Sequence, residues 1–482
     1  MNYIKSPKRS SRKKVAVQSF LPGMNASLDE SILPPSTAKA VSNFDFSSGA
    51  LREGYGMDEF PAVCRKTVAL WTYRRYDLAS SADEEILMYQ GEDGAVYYQK
   101  DGIEYPLNGI AFTSPVLAVS YRLYGDDVIL MCSSSDEMAV WDGKLDAYTV
   151  AGSPFITSMA MHYERMFCTV AGEKNAVWFS SDLDPTNWDP SLDKGGFIQV
   201  IDERGKLNCL LSFLNYVYIF RDYGISRLTA FADQSEFAMV NLFTSSGKIY
   251  PRSVTLCGDT VLFLATDGVY RFDGFSTRKI LSFLSPLILP SEGAVGAFHD
   301  GKYFLSCQLS VVSGQLSDEE SDDGSINNTP QTENCQLKTE NCNNAVLVYD
   351  IKSGAYSMLT DVAVTAFAPI GGRLIAVTDD GTPAEFSRCG HVFGTPTVKA
   401  WESGWMDFGT ERVKRVSEIF IESDGPFQLS MYSEKAKKDF DVTPQKGITR
   451  IRVNLSGRKI GFSITAGTTK ARITRPTIIF TT

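Results

Sequence analysis

Residues 260–282 read TVLFLATDGVYRFDGFSTRKILS. A six-residue apolar run meets Asp267-Gly268, a second run carries Tyr270 and Phe272, and Asp273-Gly274 introduces a third. Asp-Gly pairs between short β-branched and aromatic runs are hairpin turns, so these 23 residues are expected to hold three antiparallel strands. No stripe at i, i+3, i+4, i+7 competes with that reading.

The same unit recurs on both sides. Its apolar strand appears as EILMYQG (85–91), DVILMCSS (127–134), ERMFCTVAG (164–172), NYVYIFRD (215–222), KYFLSCQ (302–308) and RLIAVTDDG (373–381). An aromatic-bearing strand follows each time, for example AVYYQKDG (95–102), AVWFSSD (176–182) and AVLVYDIKSG (345–354). Centres of the apolar strand lie 42, 38, 51, 45, 41 and 71 residues apart, and removing an insert at 313–343 reduces the last gap to 40. A period of 40–45 residues with several strands per unit is the mark of a β-propeller. Seven blades are expected over 62–398, each of about four strands.

The insert, SGQLSDEESDDGSINNTPQTENCQLKTENCN, holds seven Asp and Glu against one Lys and offers too little apolar surface to order itself. It reads as a solvated loop, or as a loop for a partner. Beyond 399 the pattern changes to cleaner alternation, as in RVSEIFIES (415–423), ITRIRVNLS (448–456) and KIGFSITAG (459–467). Alternation fits sheets with one covered face, so a C-terminal β-sandwich or jelly-roll is expected over 399–482. Residues 1–61 mix turn residues with a few apolar anchors and read as a basic tail and extended arm. The run 15–20 is expected to add a strand elsewhere and so close the β ring.

The whole chain has 482 residues and a formal charge of −10. Residues 1–14 hold Lys5, Lys8, Arg9, Arg12, Lys13 and Lys14 with no acid, leaving −16 for the remainder. That balance excludes a broadly basic nucleic-acid face. The six basic residues read either as a solvated tail or as a grip on DNA phosphates or on an acidic neighbouring subunit. No apolar run is long enough to span a membrane as a helix, and no apolar stretch follows the basic start as a secretory signal would require. Nine cysteines, several within apolar strands (Cys132, Cys168, Cys209), read as free thiols; Cys335 and Cys342, in a polar segment, read as two free thiols or as a disulfide or metal clip.

Chemistry-bearing motifs are scarce. His162, His299 and His391 are the only histidines, and no P-loop, G-x-S-x-G or dinucleotide fingerprint occurs. Neither a catalytic residue nor a cofactor or metal is therefore assigned. The phrase SSDLDPTNW (180–188) half matches the Asp-box of sialidase-type propellers, but it occurs once and reads as a turn in which Asp182 accepts from backbone amides. The acidic pairs Glu84/Glu85, Asp126/Asp127 and Asp379/Asp380 read as strand-edge residues. Trp71, Trp141, Trp178 and Tyr270, on blade strands, read as core packing.

Four stretches resemble the β-propeller tail proteins of tailed bacteriophages, the tail-hub or nozzle group also called phage stabilisation proteins. They are the arm GMNASLDESILPPSTAKAVSNFDFSSGALREGYGM (23–57), with Asn43, Asp45, Gly49, Leu51 and Gly54 in the shared phrase; VWFSSDLDPTNWD (177–189); SSGKIYPRSVTLCGDTVLFLATDGVYRFDG (245–274); and the C-terminal WESGWMDFGTERVKRVSEIFIES with RIRVNLSGRKIGFSI. The basic first 14 residues and the insert depart from the pattern. The resemblance implies a non-enzymatic virion protein, made in the bacterial cytoplasm, assembling as a ring, often a hexamer. Such a ring sits below the portal and adaptor, lines or closes the DNA exit channel, contacts passing double-stranded DNA without sequence specificity and helps retain the genome. A receptor- or glycan-binding propeller at a tail tip is the alternative expectation.

Overall fold

A computed structural model describes residues 12–77, 81–190, 194–200, 202–231, 234–310, 342–444, 447–467 and 472–482. Among these residues the chain is built from strands, with three short 3₁₀ turns. Six antiparallel sheets of four strands follow one another in chain order. The first runs Thr67–Asp77, Ala82–Gly91, Ala95–Lys100, Ile103–Ala111 and the fifth Thr255–Cys257, Thr260–Ala265, Gly268–Phe272, Thr277–Ile280. The second to fourth sheets lie between them, over 117–244. The sixth starts at Val295–His299 and ends at Tyr356–Thr360.

A seventh sheet has three sequential strands, Val364–Ile370, Arg373–Thr378 and Pro383–Ser387. Its fourth is Gly56–Glu59 from the N-terminal arm, with Met57 opposite Phe386. Each neighbouring pair of sheets shares an apolar layer. Between the seventh and first sheets that layer joins Ile375 and Val377 to Leu70, Tyr89 and Tyr97. The arrangement is propeller-like.

The apolar strand of each repeat is the second of its sheet, not the innermost. Its residues are almost wholly buried, as in Val261–Ala265 or Tyr216–Arg221, because a sheet covers each face. The innermost strands are only half-buried, for example Leu117–Leu123. Their weaker apolar signal hid them from the repeat pattern.

The C-terminal strands form two sheets packed face to face. Lys414–Ser423, Ile448–Gly457 and Ile473–Thr481 make one, and Lys399–Ser403, Phe427–Ser433, Lys437–Val442 and Ile460–Ala466 the other. Along Ile448–Gly457 burial alternates without a break, with Ile451, Val453 and Leu455 inward and Arg450 and Arg452 outward. The arm supplies one strand to each sheet: Lys13–Ala16 pairs with Ile473–Thr481, and Ala38–Ser42 with Lys399–Ser403. Closure by residues 15–20 is thus corrected. That run docks on the C-terminal sheets, and Gly56–Glu59 completes the seventh sheet. Val17, Phe20, Phe44, Phe46 and Leu51 of the arm are buried in the core shared with the C-terminal sheets, and the chain passes from there to Gly56–Glu59 at the edge of Pro383–Ser387.

One apolar core runs through both units. It joins Trp401, Ile464 and Phe480 of the C-terminal sheets to Phe20 and Phe46 of the arm. It continues into Leu262, Leu264, Leu305 and Tyr356 of the fifth and sixth sheets.

Candidate functional site

The arm phrase that carries the resemblance forms the joint. Asn43 is buried with φ +56°, in the left-handed region that Asn tolerates better than most residues. Its Oδ1 accepts from the Thr360 N–H at 2.8 Å, and its Nδ2 donates to the Val398 carbonyl at 2.8 Å. One side chain therefore ties the sixth sheet to the strand entering the C-terminal unit. Asp45 is also buried; it accepts from the Ser47 N–H and lies 3.2 Å from Arg388. Leu51 exchanges backbone hydrogen bonds with Ile473. Across the joint, the Tyr356 hydroxyl accepts from the Met24 N–H at 2.7 Å and donates to the Met24 carbonyl at 3.0 Å, while Phe46 meets its ring edge-on.

Of the six basic candidates, Lys5, Lys8 and Arg9 lie outside the described residues. Arg12, Lys13 and Lys14 are exposed at the edge of the four-stranded C-terminal sheet, with Lys14 opposite Ile479. The 311–341 segment, which contains most of the insert and Cys335, lies outside the described residues, as does the Cys342 side chain. The flanking strands Lys302–Ser310 and Cys342–Asp350 are neighbours in the sixth sheet.

The half Asp-box is a turn, but Asp184 rather than Asp182 accepts in it, from the Thr186 N–H and Oγ1. Tyr124 of the second sheet donates to the other Asp184 oxygen at 2.6 Å, and Trp188 folds into the core. Each acidic pair has at least one engaged member. Glu84 and Glu85 face Arg75 and Arg74 at 2.7 and 2.9 Å, Asp127 accepts from the Tyr76 N–H, and Asp380 holds Lys66. Two shallow depressions of about 360 and 320 Å³ between the first and second sheets are lined by Asp136 and Asp93 among others. Asp136 is already saturated by Thr113 and Ser133.

Two arrangements escaped the sequence reading because their members are far apart in the chain. Arg221 is fully buried, donating to Asp202 at 2.7 Å and to the Gly205 carbonyl at 2.9 Å. Asp58, Cys389 and His391 bring one ligand atom each within 4.8 Å of one another where the arm strand joins the seventh sheet. Their bonds are mutual. His391 Nδ1 accepts from the Gly394 N–H, which places the neutral ring's proton on Nε2, 3.4 Å from Asp58, and the Cys389 thiol donates to the His391 carbonyl. Burial also raises that thiol above its usual range. The set fits a structural clasp better than a metal centre, where Nε2 would have to be bare. His162 is buried against Ser212 at 2.9 Å, and burial lowers its basicity. His299 is a hairpin residue opposite Lys302. Cys132 and Cys307 are buried free thiols, each pushed up to about 12 by desolvation, so neither is nucleophilic.

No known protein-family profile matches the chain, and no curated protein does. Among solved structures, the computationally designed Ika8 protein is similar at 14% identity and TM-score 0.39, over 67% of this chain and 96% of that one. BBS1N in complex with ARL6DN, soaked with mercury, is similar at 12% identity and TM-score 0.39, over 68% of this chain and 95% of that one. The same complex soaked with lead gives 14% identity and TM-score 0.40 over the same shares. Likeness at that level carries no functional information. No helix among the described residues is long and apolar enough to cross a membrane.

Proposed function

We propose that this chain is a structural, non-enzymatic component of a tailed-phage virion: a closed seven-bladed propeller (62–398) with an N-terminal arm (1–61) and a C-terminal sandwich (399–482). In this reading it forms a homo-oligomeric ring, a hexamer by the resemblance, in the tail hub or nozzle below the portal and adaptor. There it closes or lines the DNA exit channel. The observation that carries the reading is the joint. The arm adds a strand to the seventh sheet and to both C-terminal sheets, and one core runs through all three regions. That design makes a rigid block, and the polar groups that could do chemistry are tied to one another.

The acidic balance supports a surface that lets DNA pass without gripping it. The innermost strands hold few charges, so the acids sit mainly in the turns. Imaging of particles carrying a labelled copy tests the proposal. A ring directly beneath the portal is expected; a label at the tail tip or outside the particle would overturn it. A basic channel in the assembled ring would overturn the sliding argument alone.

A further inference from the structure

In a four-stranded meander the turns between strands one and two and between strands three and four lie at the same end. Seven such sheets in a row therefore collect these turns on one end of the array. In the sixth and seventh sheets the first-to-second turns are Asp300-Gly301 and Gly371-Gly372, with all four residues at positive φ, and the fifth sheet places Gly258 at φ +68°. This is ordinary turn chemistry.

The second, third and fourth sheets break the rule. Tyr124, Tyr163 and Leu214 occupy the turn apex at φ +49°, +49° and +46°, and they are 79%, 59% and 48% exposed. Bulky residues are strained in this region, and the neighbouring sheets show that Asp or Gly would serve. Exposure to water is a second penalty at the same three positions. Strain and exposure at the same positions motivate a role for this end beyond the turns themselves, with Tyr124 also held by Asp184. Leu145, Leu183 and Phe275 stand exposed in the third-to-fourth turns of the same end, Leu183 again at φ +57°. The opposite end exposes only Phe155 and Tyr223 among its described large apolar residues.

The apolar arc is set among carboxylates, including Asp126, Glu164 and Asp273. Over residues 62–398, leaving aside 311–341, there are 35 Asp and Glu against 23 Lys and Arg, a net of −12. The C-terminal unit has the opposite sign. Residues 399–482 hold 15 Lys and Arg against 9 Asp and Glu, a net of +6. Its four-stranded sheet turns Arg415 and Arg452 outward, Lys14 of the arm shares a cross-strand row with Arg452 across Ile479 and Glu418, and Arg450 pairs with Glu418. Ile448 and Val413, 66% and 51% exposed, lie on that unit's surface. An acidic apolar end and a basic apolar face are thus present on one chain.

We infer that the occupant of the arc is the outer face of the C-terminal four-stranded sheet of a second copy. The two patches differ, so the contact is heterologous and propagates head to tail until it closes as a ring. A glycan would not be served by the leucines interspersed among the aromatic residues, and an anionic membrane would be repelled. The inference rests on the ring reading above and names its interface; it is independent of where in the particle the ring sits.

Two variants of the full chain test it by analytical ultracentrifugation. Tyr163→Asn with Leu214→Asn removes two neighbouring members of the arc while placing Asn where left-handed backbone suits it. The melting temperature of this variant is expected to hold or rise. Arg415→Glu with Arg452→Glu reverses the basic face. Each variant alone is expected to lose self-association at least tenfold, and an equimolar mixture to form a heterodimer through the one intact pair of patches. Monomeric wild-type protein at high concentration, undiminished assembly of either variant, a mixture that stays monomeric, or glycan-array binding lost with the arc while assembly persists would overturn it. Normal rings from both variants would overturn this contact and leave the ring itself standing.

Discussion

Asn43 shows how much one residue can hold. Its backbone conformation disfavours most side chains, and its amide satisfies the Thr360 N–H and the Val398 carbonyl, which belong to two different units. Asn43→Ala would strand both partners and add left-handed strain, for a loss of about 3 kcal/mol in denaturant unfolding. A loss under about 1 kcal/mol would show that the joint does not depend on it. The turn aspartates teach a related lesson. Asp273 is held below its usual range first by the Ser276 amide and then by that of Phe275. In Asp142 burial pushes upward, but the amides of Leu145 and Lys144 outweigh it. Asp350 repeats this, with Ser353 as the main donor.

These depressed carboxyls stabilise the fold above the unfolded-state value near 3.9, and the contribution is lost as pH falls through their lower folded values. Stability is therefore expected to be level with respect to these groups at neutral pH and to decline steadily below about pH 4. An Asp142→Asn/Asp273→Asn/Asp350→Asn variant should show a shallower acid limb in urea titrations at pH 3 to 6. An unchanged limb would remove the turns from the account.

At the scale of elements, the fourth strand of the seventh sheet comes from the other end of the sequence. Gly56 in that strand leaves no room for a Cβ, which would fall on the His391 carbonyl and close to the Cys389 sulfur. Gly56→Val is expected to release the strand. Amide exchange should then accelerate together in 56–59 and 383–392, while the second and third sheets stay protected. Exchange confined to 56–59 would mean that the seventh sheet holds without its borrowed strand. The strand order also explains a difference from the sequence reading. Period and turns identified the second strand of every repeat, because that strand is apolar on both faces. The run VAVQSF (15–20) has the stronger apolar strand pattern, and GMDE (56–59) carries no local sign of closure. The distinction is one of partner: Lys13–Ala16 finds the Ile473–Thr481 edge, whereas Met57 finds Phe386.

For the whole molecule, the shared core predicts coupling. Phe20, Phe46 and Trp401 are fully buried only because sheets from both units and the arm meet around them. Calorimetry of the full chain is expected to show the C-terminal unit melting with the fifth and sixth sheets in one transition. A chain ended at residue 398 would expose that layer and aggregate. A soluble truncated propeller with the parent melting temperature would contradict this.

The sequence by itself determined the all-β class, the repeat near 42 residues, the change of pattern at 399 and the lack of motifs for catalysis, because hydrophobic period and turn chemistry are local properties. It also carried the Asn43–Gly54 phrase, though not the reason for it. Only the tertiary structure decided which strand completes the seventh sheet, that Asp58 meets Cys389 and His391, that Arg221 is buried against Asp202, and that Tyr124, Tyr163 and Leu214 stand exposed on one end. Each of these depends on residues distant in the chain, or on which end of a sheet a turn occupies. A single sequence records neither, because both are fixed by how the strands pair and pack.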